Sequence, residues 1–226
     1  YTIILGGVLT KVYVHCVILG HSRYRTYFAT QRQTQSCVFE AIEDCLFRIG
    51  GVPQRIQTDN HSTMRDVNTD EWNKRYLQLA EHYGYSPSRS APRHPWSKGK
   101  VESPFGFLEN HLIAGNEFSS FEDFCEKLSE FETFVNKRVH DTTRVAPVDL
   151  FNDKEKEALM PLPDTNFIGT KEIFRKVSSD CLISFERNKY SVPHVFACRE
   201  VWIRVSQGYY LDVYSRSNKH LSLIHI

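Results

Sequence analysis

Two acidic residues stand where carboxylates can hold a metal ion. Asp59 closes a short β-prone run, Arg55 to Thr58, and Glu102 stands at or just before the start of a helix-like stretch. An acid at the carboxyl end of a strand is well placed for this, because the strand's last backbone groups and the following loop open onto a crevice. Ahead of Glu102 runs the basic stretch Arg93 to Lys100 (RHPWSKGK). Carboxylates beside a basic run suit phosphodiester chemistry. Mg2+ is typically held by one or two carboxylates plus substrate phosphate oxygens. Two such ions about 3.5–4 Å apart activate the attacking oxygen and stabilise the leaving one in an in-line displacement. Mn2+ is expected to substitute. Arg93, Lys98 and Lys100 are the candidates for contacting backbone phosphates, and Gly99 lets the chain come close to a nucleic acid. Each signal is weak alone. An Asp after a strand is more often a cap or turn residue, a Glu at a helix start a dipole partner, and Lys-x-Lys a solvated face. The order strand-Asp, helix, basic loop, Glu-helix carries the reading.

The elements that must position these residues follow from periodicity. Tyr1–Leu5, Gly6-Gly7 and the β-branched run Val8 to Leu19 predict a hairpin, and Arg25 to Ala29 a third strand. From Thr34 to Ile49, Val38, Ile42, Cys45, Leu46 and Ile49 recur at helical spacing, stopped by Gly50-Gly51. A helix over Glu71–Tyr83 closes at Gly84, and Tyr85–Ser88 is a possible fifth strand. Val101, Phe105, Leu108 and Leu112 share one helical face, with Pro104 starting the regular helix near Ser103 or kinking it. A further helix runs from Ser119 or Ser120 to about Val139. The fold class expected is α/β, RNase H-like: a mixed five-stranded sheet with flanking helices over residues 1–151. Residues 152–170 read as a linker. Short runs at Ile173–Val177, Cys181–Phe185, Lys189–Val192, Val201–Val205 and Tyr209–Tyr214 predict a small all-β barrel over 171–220. Leu221–Ile226 has no turn signal or partner strand behind it and reads as a non-native tail.

Composition narrows the class without naming it. Net charge is +1 from 28 basic and 27 acidic residues, so nucleic-acid binding must rest on local patches. The 41% hydrophobic content suffices for packed cores. The six cysteines include no CxxC pair, and they read as free thiols in a reducing cytoplasm. No apolar run reaches the roughly 20 residues of a membrane helix.

Three stretches carry a resemblance. Gly50-Gly-Val-Pro-Gln-Arg-Ile-Gln-Thr-Asp59-Asn60, Ala91-Pro-Arg-His-Pro-Trp-Ser-Lys-Gly-Lys-Val-Glu102, and Val135-Asn-Lys-Arg-Val-His140 ahead of Ala146-Pro-Val-Asp-Leu-Phe151 resemble the integrase core of IstA-type insertion-sequence transposases. Retroviral integrases are more distant relatives. The C-terminal region resembles the small β-barrel that follows the core in these transposases and in phage Mu transposase. The resemblance implies that Asp59 and Glu102 are the second and third acids of a catalytic Asp-Asp-Glu triad, and that Ser22-Arg23-Tyr24 is structural. It implies Mg2+-dependent strand cleavage by water and strand transfer by the freed 3′-hydroxyl. It also implies transposon-end and target DNA as partners, a homo-multimer on DNA, a helper ATPase of the IstB type, no membrane partner, and a bacterial, nucleoid-associated setting. No Asp precedes Asp44. The first triad Asp is therefore expected on a strand cut just ahead of Tyr1, and the chain by itself is expected to be inactive.

Other conspicuous residues have bland readings beside the functional one. His94 and His140 touch phosphate or simply pack. Trp96 stacks on a base or anchors its loop. Trp202, Tyr209, Tyr210 and Tyr214, with Arg199 and Arg204, form a DNA face or fill the barrel core. The competing functions are a catalytically inactive, transposase-derived DNA-binding module and an RNase H-like nuclease that hydrolyses without joining.

Overall fold

The computed structural model describes residues 1–58, 63–65, 69, 71–89, 104–167, 173–215 and 220–225. The first hairpin forms as the glycine pair requires. β1 (Thr2–Leu5) and β2 (Val8–Lys11) pair antiparallel, and Gly6 and Gly7 carry φ of 54° and 82°, both positive as a two-residue primed turn demands. The expected continuous strand to Leu19 is broken at Val12. That residue is fully buried, its N–H donates to Tyr1 O at 2.9 Å, and the chain then enters a different ladder, β3 (Tyr13–Ile18) against β4 (Arg25–Thr30).

α1 (Gln35–Ile49) matches its periodicity. Thr34 Oγ1 caps it by accepting from Cys37 N at 3.3 Å, and Gly50 ends it in the left-handed region. β5 (Arg55–Thr58) and β6 (Ser86–Arg89) then pair in parallel, joined through α2 (Lys74–Tyr83). α2 starts later than Glu71 because Asn73 is extended and its side chain accepts from Arg75 N at 3.0 Å, a cap that fixes the first turn. Residues 104–108 are helical and continue into the wider turn Glu109–Ile113. Pro104 is the first described residue of this helical stretch. Phe105, Leu108 and Leu112 pack on one core with Phe118 of β7 (Glu117–Phe118), which pairs parallel to β1.

α3 (Phe121–Lys137) is capped by Ser120, whose Oγ accepts from Asp123 N at 3.2 Å. Asp123 Oδ2 in turn accepts from Ser119 N and Oγ, and these bonds hold its carboxyl below the usual range. The helix does more than bury Phe124, Leu128 and Phe131. Asn136 pairs with the outer edge of β4 as a strand would, accepting from Arg25 N at 3.0 Å and donating to Arg25 O at 2.7 Å. One turn earlier, Glu132 Oε2 accepts from Tyr27 N at 2.7 Å, and Arg48 of α1 bridges Glu132, Asp44 and Tyr27 O. An exposed strand edge is thereby closed by side chains.

Among the described residues, the expected five-stranded sheet is three separate ladders, β2-β1-β7, β3-β4 and β5-β6. The strands are short, four to six residues in the longer ones and two in β7.

Residues 151–167 are not a free tether. After α4 (Pro147–Leu150) the chain turns through Phe151–Glu155 and Lys156–Ala158, and Met160 and Val52 exchange backbone bonds. Phe167 N donates to Glu43 Oε1 at 2.9 Å. Met160, Leu162 and Phe167 pack against the α1–α2 core, apolar contacts that the prolines and charges around them obscured.

The C-terminal strands are β8 (Ile173–Lys176), β9 (Leu182–Phe185), β10 (Asn188–Ser191), β11 (Glu200–Ser206), β12 (Tyr210–Ser215) and β13 (His220–His225). They form a four-stranded antiparallel sheet, β13-β12-β11-β8, and the hairpin β10-β9. Val201, Ile203, Leu211 and Val213 fill the inner face. The terminal residues, read from the sequence as a non-native tail, pair as β13. Leu221 and Ile224 pack against that core, and Ile224 is paired opposite Leu211.

The turn between β11 and β12 docks this sheet on the rest of the chain. Gln207 O accepts from Gln31 N at 3.0 Å, and Gln207 N donates to Glu40 Oε2 at 2.7 Å. Tyr209 packs edge-on against Phe121 with centroids 5.2 Å apart, and Tyr210 OH donates to Glu122 Oε1 at 2.7 Å. Arg32 and Glu186 form an ion pair at 2.7 Å. Burial pushes the Glu40 carboxyl up to about 7, against the pull of the Gln207 N–H.

Candidate active site

β5 and β6 end side by side, with Thr58 paired to Arg89. Asp59 is the next residue after Thr58 in sequence, and Glu102 precedes the helical turn at Pro104 by two positions. Asp59, Glu102, Arg93, Lys98 and Lys100 all lie outside the described residues, as do His94 and Trp96. Among the described residues no group of three or more His, Cys, Asp or Glu could hold a metal.

What is described is the floor beneath the strand ends. Thr58 is buried and Tyr76 of α2 is fully buried. The Tyr76 ring lies 5.4 Å from Trp72, 6.3 Å from Tyr85 and 6.4 Å from Phe39. Burial pushes the Tyr76 and Tyr85 phenols up, so both stay neutral and the floor carries no charge of its own. Above it, the Arg89 guanidinium lies over the Trp72 ring at 5.3 Å from the centroid. Sequence reading passed over Arg89 and Trp72. Pairing the two strands in parallel would have placed Arg89 beside the end of β5.

Two family models match the chain. Residues 3–95 match the integrase core domain, and residues 162–218 match the Mu transposase C-terminal domain. Residues 3–95 are thus similar to an integrase core. Related sequences include the transposase of insertion sequence IS21 from Pseudomonas aeruginosa, 32% identical over 93% of this chain and 55% of the relative. The putative transposase of IS5376 from Geobacillus stearothermophilus is 26% identical over 89% of this chain and 51% of the relative. The chain thus spans about half the length of the curated relatives it matches. Among solved structures, the catalytic core of BIV integrase aligns with a TM-score of 0.50 and 16% identity, covering 70% of this chain and 93% of that one. A simian T-cell lymphotropic virus intasome chain aligns with a TM-score of 0.52 and 13% identity, covering 100% of this chain and 73% of that one. The integrase core accordingly has the RNase H-like α/β fold.

Within the integrase core the Ser22-Arg23-Tyr24 motif is structural. Arg23 takes a φ of 65°, Ser22 Oγ accepts from Tyr24 N at 3.0 Å, and the Glu155 carboxylate accepts from His21 N and Ser22 N. Tyr24 stacks on Phe151 at 4.6 Å, packing this motif on the end of the Ala146–Phe151 stretch. His140 is a turn residue: its Nδ1 accepts from Thr142 N at 3.2 Å, and its carbonyl accepts from Arg144 N. Burial, then Arg25 and Arg23, hold its pKa below the usual histidine value. All six cysteines are free thiols. Among the described residues no helix is long and apolar enough to cross a membrane.

Proposed function

We propose that this chain is the catalytic part of a DNA transposase that cleaves DNA strands and joins the freed 3′-hydroxyl to target DNA by metal-dependent in-line displacement at phosphorus. The observation that carries the reading is an integrase core whose strand β5 stops at the residue before Asp59, level with the end of β6. In this reading residues 1–151 are the catalytic core, 152–170 the connection and 171–220, extended through β13, a small DNA-contacting barrel.

Asp59 and Glu102 are the metal-holding acids. Two carboxylates are hard oxygen donors, which suits Mg2+, with Mn2+ as its substitute. When bound, such ions supply Lewis acidity to the oxygens that attack and leave phosphorus. Arg93, Lys98 and Lys100 hold backbone phosphates, contributing affinity without sequence information. The uncharged floor of Thr58, Tyr76 and Tyr85 supports the strand end without a competing ion. Assembly as a multimer on paired transposon ends, with an IstB-type ATPase, belongs to the same reading.

The test is Mg2+- or Mn2+-dependent strand transfer by the full-length protein, compared with Asp59→Asn and Glu102→Gln. Strand transfer should vanish in both variants while DNA binding persists. Activity that survives either substitution removes the assignment, and a full-length protein that binds DNA but never cuts it points to an inactive binding module.

A further inference from the structure

Arg32 and Arg48 place their charge on carboxylates. Arg25 does not. It is 7% exposed, its Nε is buried without a hydrogen-bond partner, and among the described residues it makes no ion pair. A guanidinium withdrawn from water without a counter-charge is costly, and such groups are ordinarily paired. The Tyr27 phenol lies beside it, but burial keeps that group neutral, and its hydroxyl donates to Pro104 O at 3.4 Å. The acids of the neighbouring elements are committed elsewhere. Glu132 of α3 serves Tyr27 N and Arg48, and Glu155 accepts from His21 N and Ser22 N.

Two further side chains stand at the same corner. Asn136 bonds both backbone groups of Arg25, which ties the last turn of α3 to the start of β4, and the chain leaves that turn through Arg138 to His140. His140 Nδ1 accepts from Thr142 N, so the neutral ring carries its proton on Nε2, and no described residue accepts that proton. Burial, then the charges of Arg25 and Arg23, depress the His140 pKa, so both guanidiniums bear on this ring, and the exposed Asp141 opposes them more weakly. Arg23 holds a φ of 65°, in the left-handed region that a residue with a Cβ enters at a cost. Ser22 and Tyr24 carry the structural role of that turn, and among the described residues the Arg23 guanidinium makes no ion pair.

We infer that Arg23, Arg25 and His140 form a pocket for a phosphate oxyanion, which supplies the negative charge that Arg25 lacks. A guanidinium presents paired donors that fit two phosphate oxygens, and the His140 Nε2–H adds a single donor. Packing alone gives no reason for a cation here, because an apolar residue of similar volume would fill the space without the desolvation cost. A DNA backbone phosphate is the source that the transposase reading favours. Only that choice rests on the reading; the pocket itself rests on the unpaired Arg25.

The test uses the 226-residue chain with a sixteen-base-pair DNA duplex or inorganic phosphate, against chloride at matched ionic strength. Arg25→Met and His140→Gln are compared with Lys127→Gln, an exposed cation on α3. His140 is on a half-buried turn, so its substitution is the one least able to disturb the core. Arg25→Met should weaken duplex binding about tenfold and lower the dependence of log Kd on log salt by about one. Lys127→Gln should leave the affinity unchanged. In chloride, Arg25→Met should melt no lower than the wild-type chain, because it removes an unpaired buried charge. By NMR the His140 pKa should rise when the anion binds, and should not in Arg25→Met. A rise with duplex identifies the DNA backbone as the source, and a rise with phosphate alone keeps the pocket and makes a free anion its ligand. A His140 titration unmoved by either anion, or moved equally in Arg25→Met, overturns the inference, and so does a marked loss of melting temperature in Arg25→Met. Strand transfer by the full-length protein is scored separately. If it fails while Arg25-dependent binding persists, the pocket stands and the catalytic reading falls; strand transfer that persists while neither anion moves His140 removes the pocket alone.

Discussion

The β3–β4 and β5–β6 ladders lie in the same half of the chain and are finished in opposite ways. The outer edge of β4 is closed: Arg25 is bonded by Asn136, and Tyr27 by Glu132 and Arg48. The β5–β6 pair is held from beneath by buried rings and ends at Thr58 and Arg89, where the sequence goes on to its acids and its basic run. Polar groups in the first ladder satisfy a strand edge, and those beyond the second are the ones proposed for chemistry. Changes at the two places should therefore separate stability from activity.

Asn136→Ala sharpens the contrast most. It strands the N–H and C=O of Arg25, both in a buried setting, and should cost about 3 kcal/mol in urea unfolding. A loss under about 1 kcal/mol would mean that water replaces the amide and the edge is not closed in the sense described. Gly208→Ala comes next. Gly208 has a φ of 65°, and an added Cβ would meet Arg32 Cβ at 2.7 Å and its backbone N at 3.1 Å. A cost of about 1–3 kcal/mol is expected, with earlier loss of the contact between the C-terminal sheet and the core in hydrogen exchange at Gln207.

A smaller, pH-dependent effect is expected at Glu40. In the folded chain burial raises its pKa to about 7 from the ordinary glutamate value of 4.5. The folded state then holds a proton that the unfolded chain has already released. Stability associated with that proton is fully present below about pH 4.5 and is lost as pH rises toward 7. Glu40→Gln should flatten the melting temperature across that window. An unchanged slope would place the pH dependence elsewhere, with Glu132 the next carboxyl to examine, since burial pushes it up against the opposing pull of Arg48. The smallest stability effect is expected where the activity effect is largest: Asp59→Asn and Glu102→Gln should leave unfolding free energy within about 0.5 kcal/mol. A large loss at Asp59 would make it a structural cap and erase the distinction between the ladders.

The sequence discloses what is local. Thr34, Gly50 and Ser120 mark the ends of α1 and α3 because each cap bonds a group within four residues. Closure of β4 was invisible because Asn136 reaches a strand 111 residues away, and on a helix such a residue reads as part of a wet face. The pairing of the terminal residues was hidden for a related reason. β13 shows its purpose only once β12 stands beside it, when Leu221 and Ile224 turn inward. The proposal for Asp59 and Glu102 rests on their sequence positions, after a strand and before a helix-like stretch, whereas Arg89 needed the parallel register to be noticed.

The Gln207 turn has a consequence of a different kind. Because Gln31, Glu40, Phe121 and Glu122 fix it from three elements, the C-terminal sheet does not search for the core by diffusion on a loose leash. Whatever that sheet grips is presented to the integrase core at a fixed effective concentration, set by a turn of a few residues and not by the length of the segment connecting them.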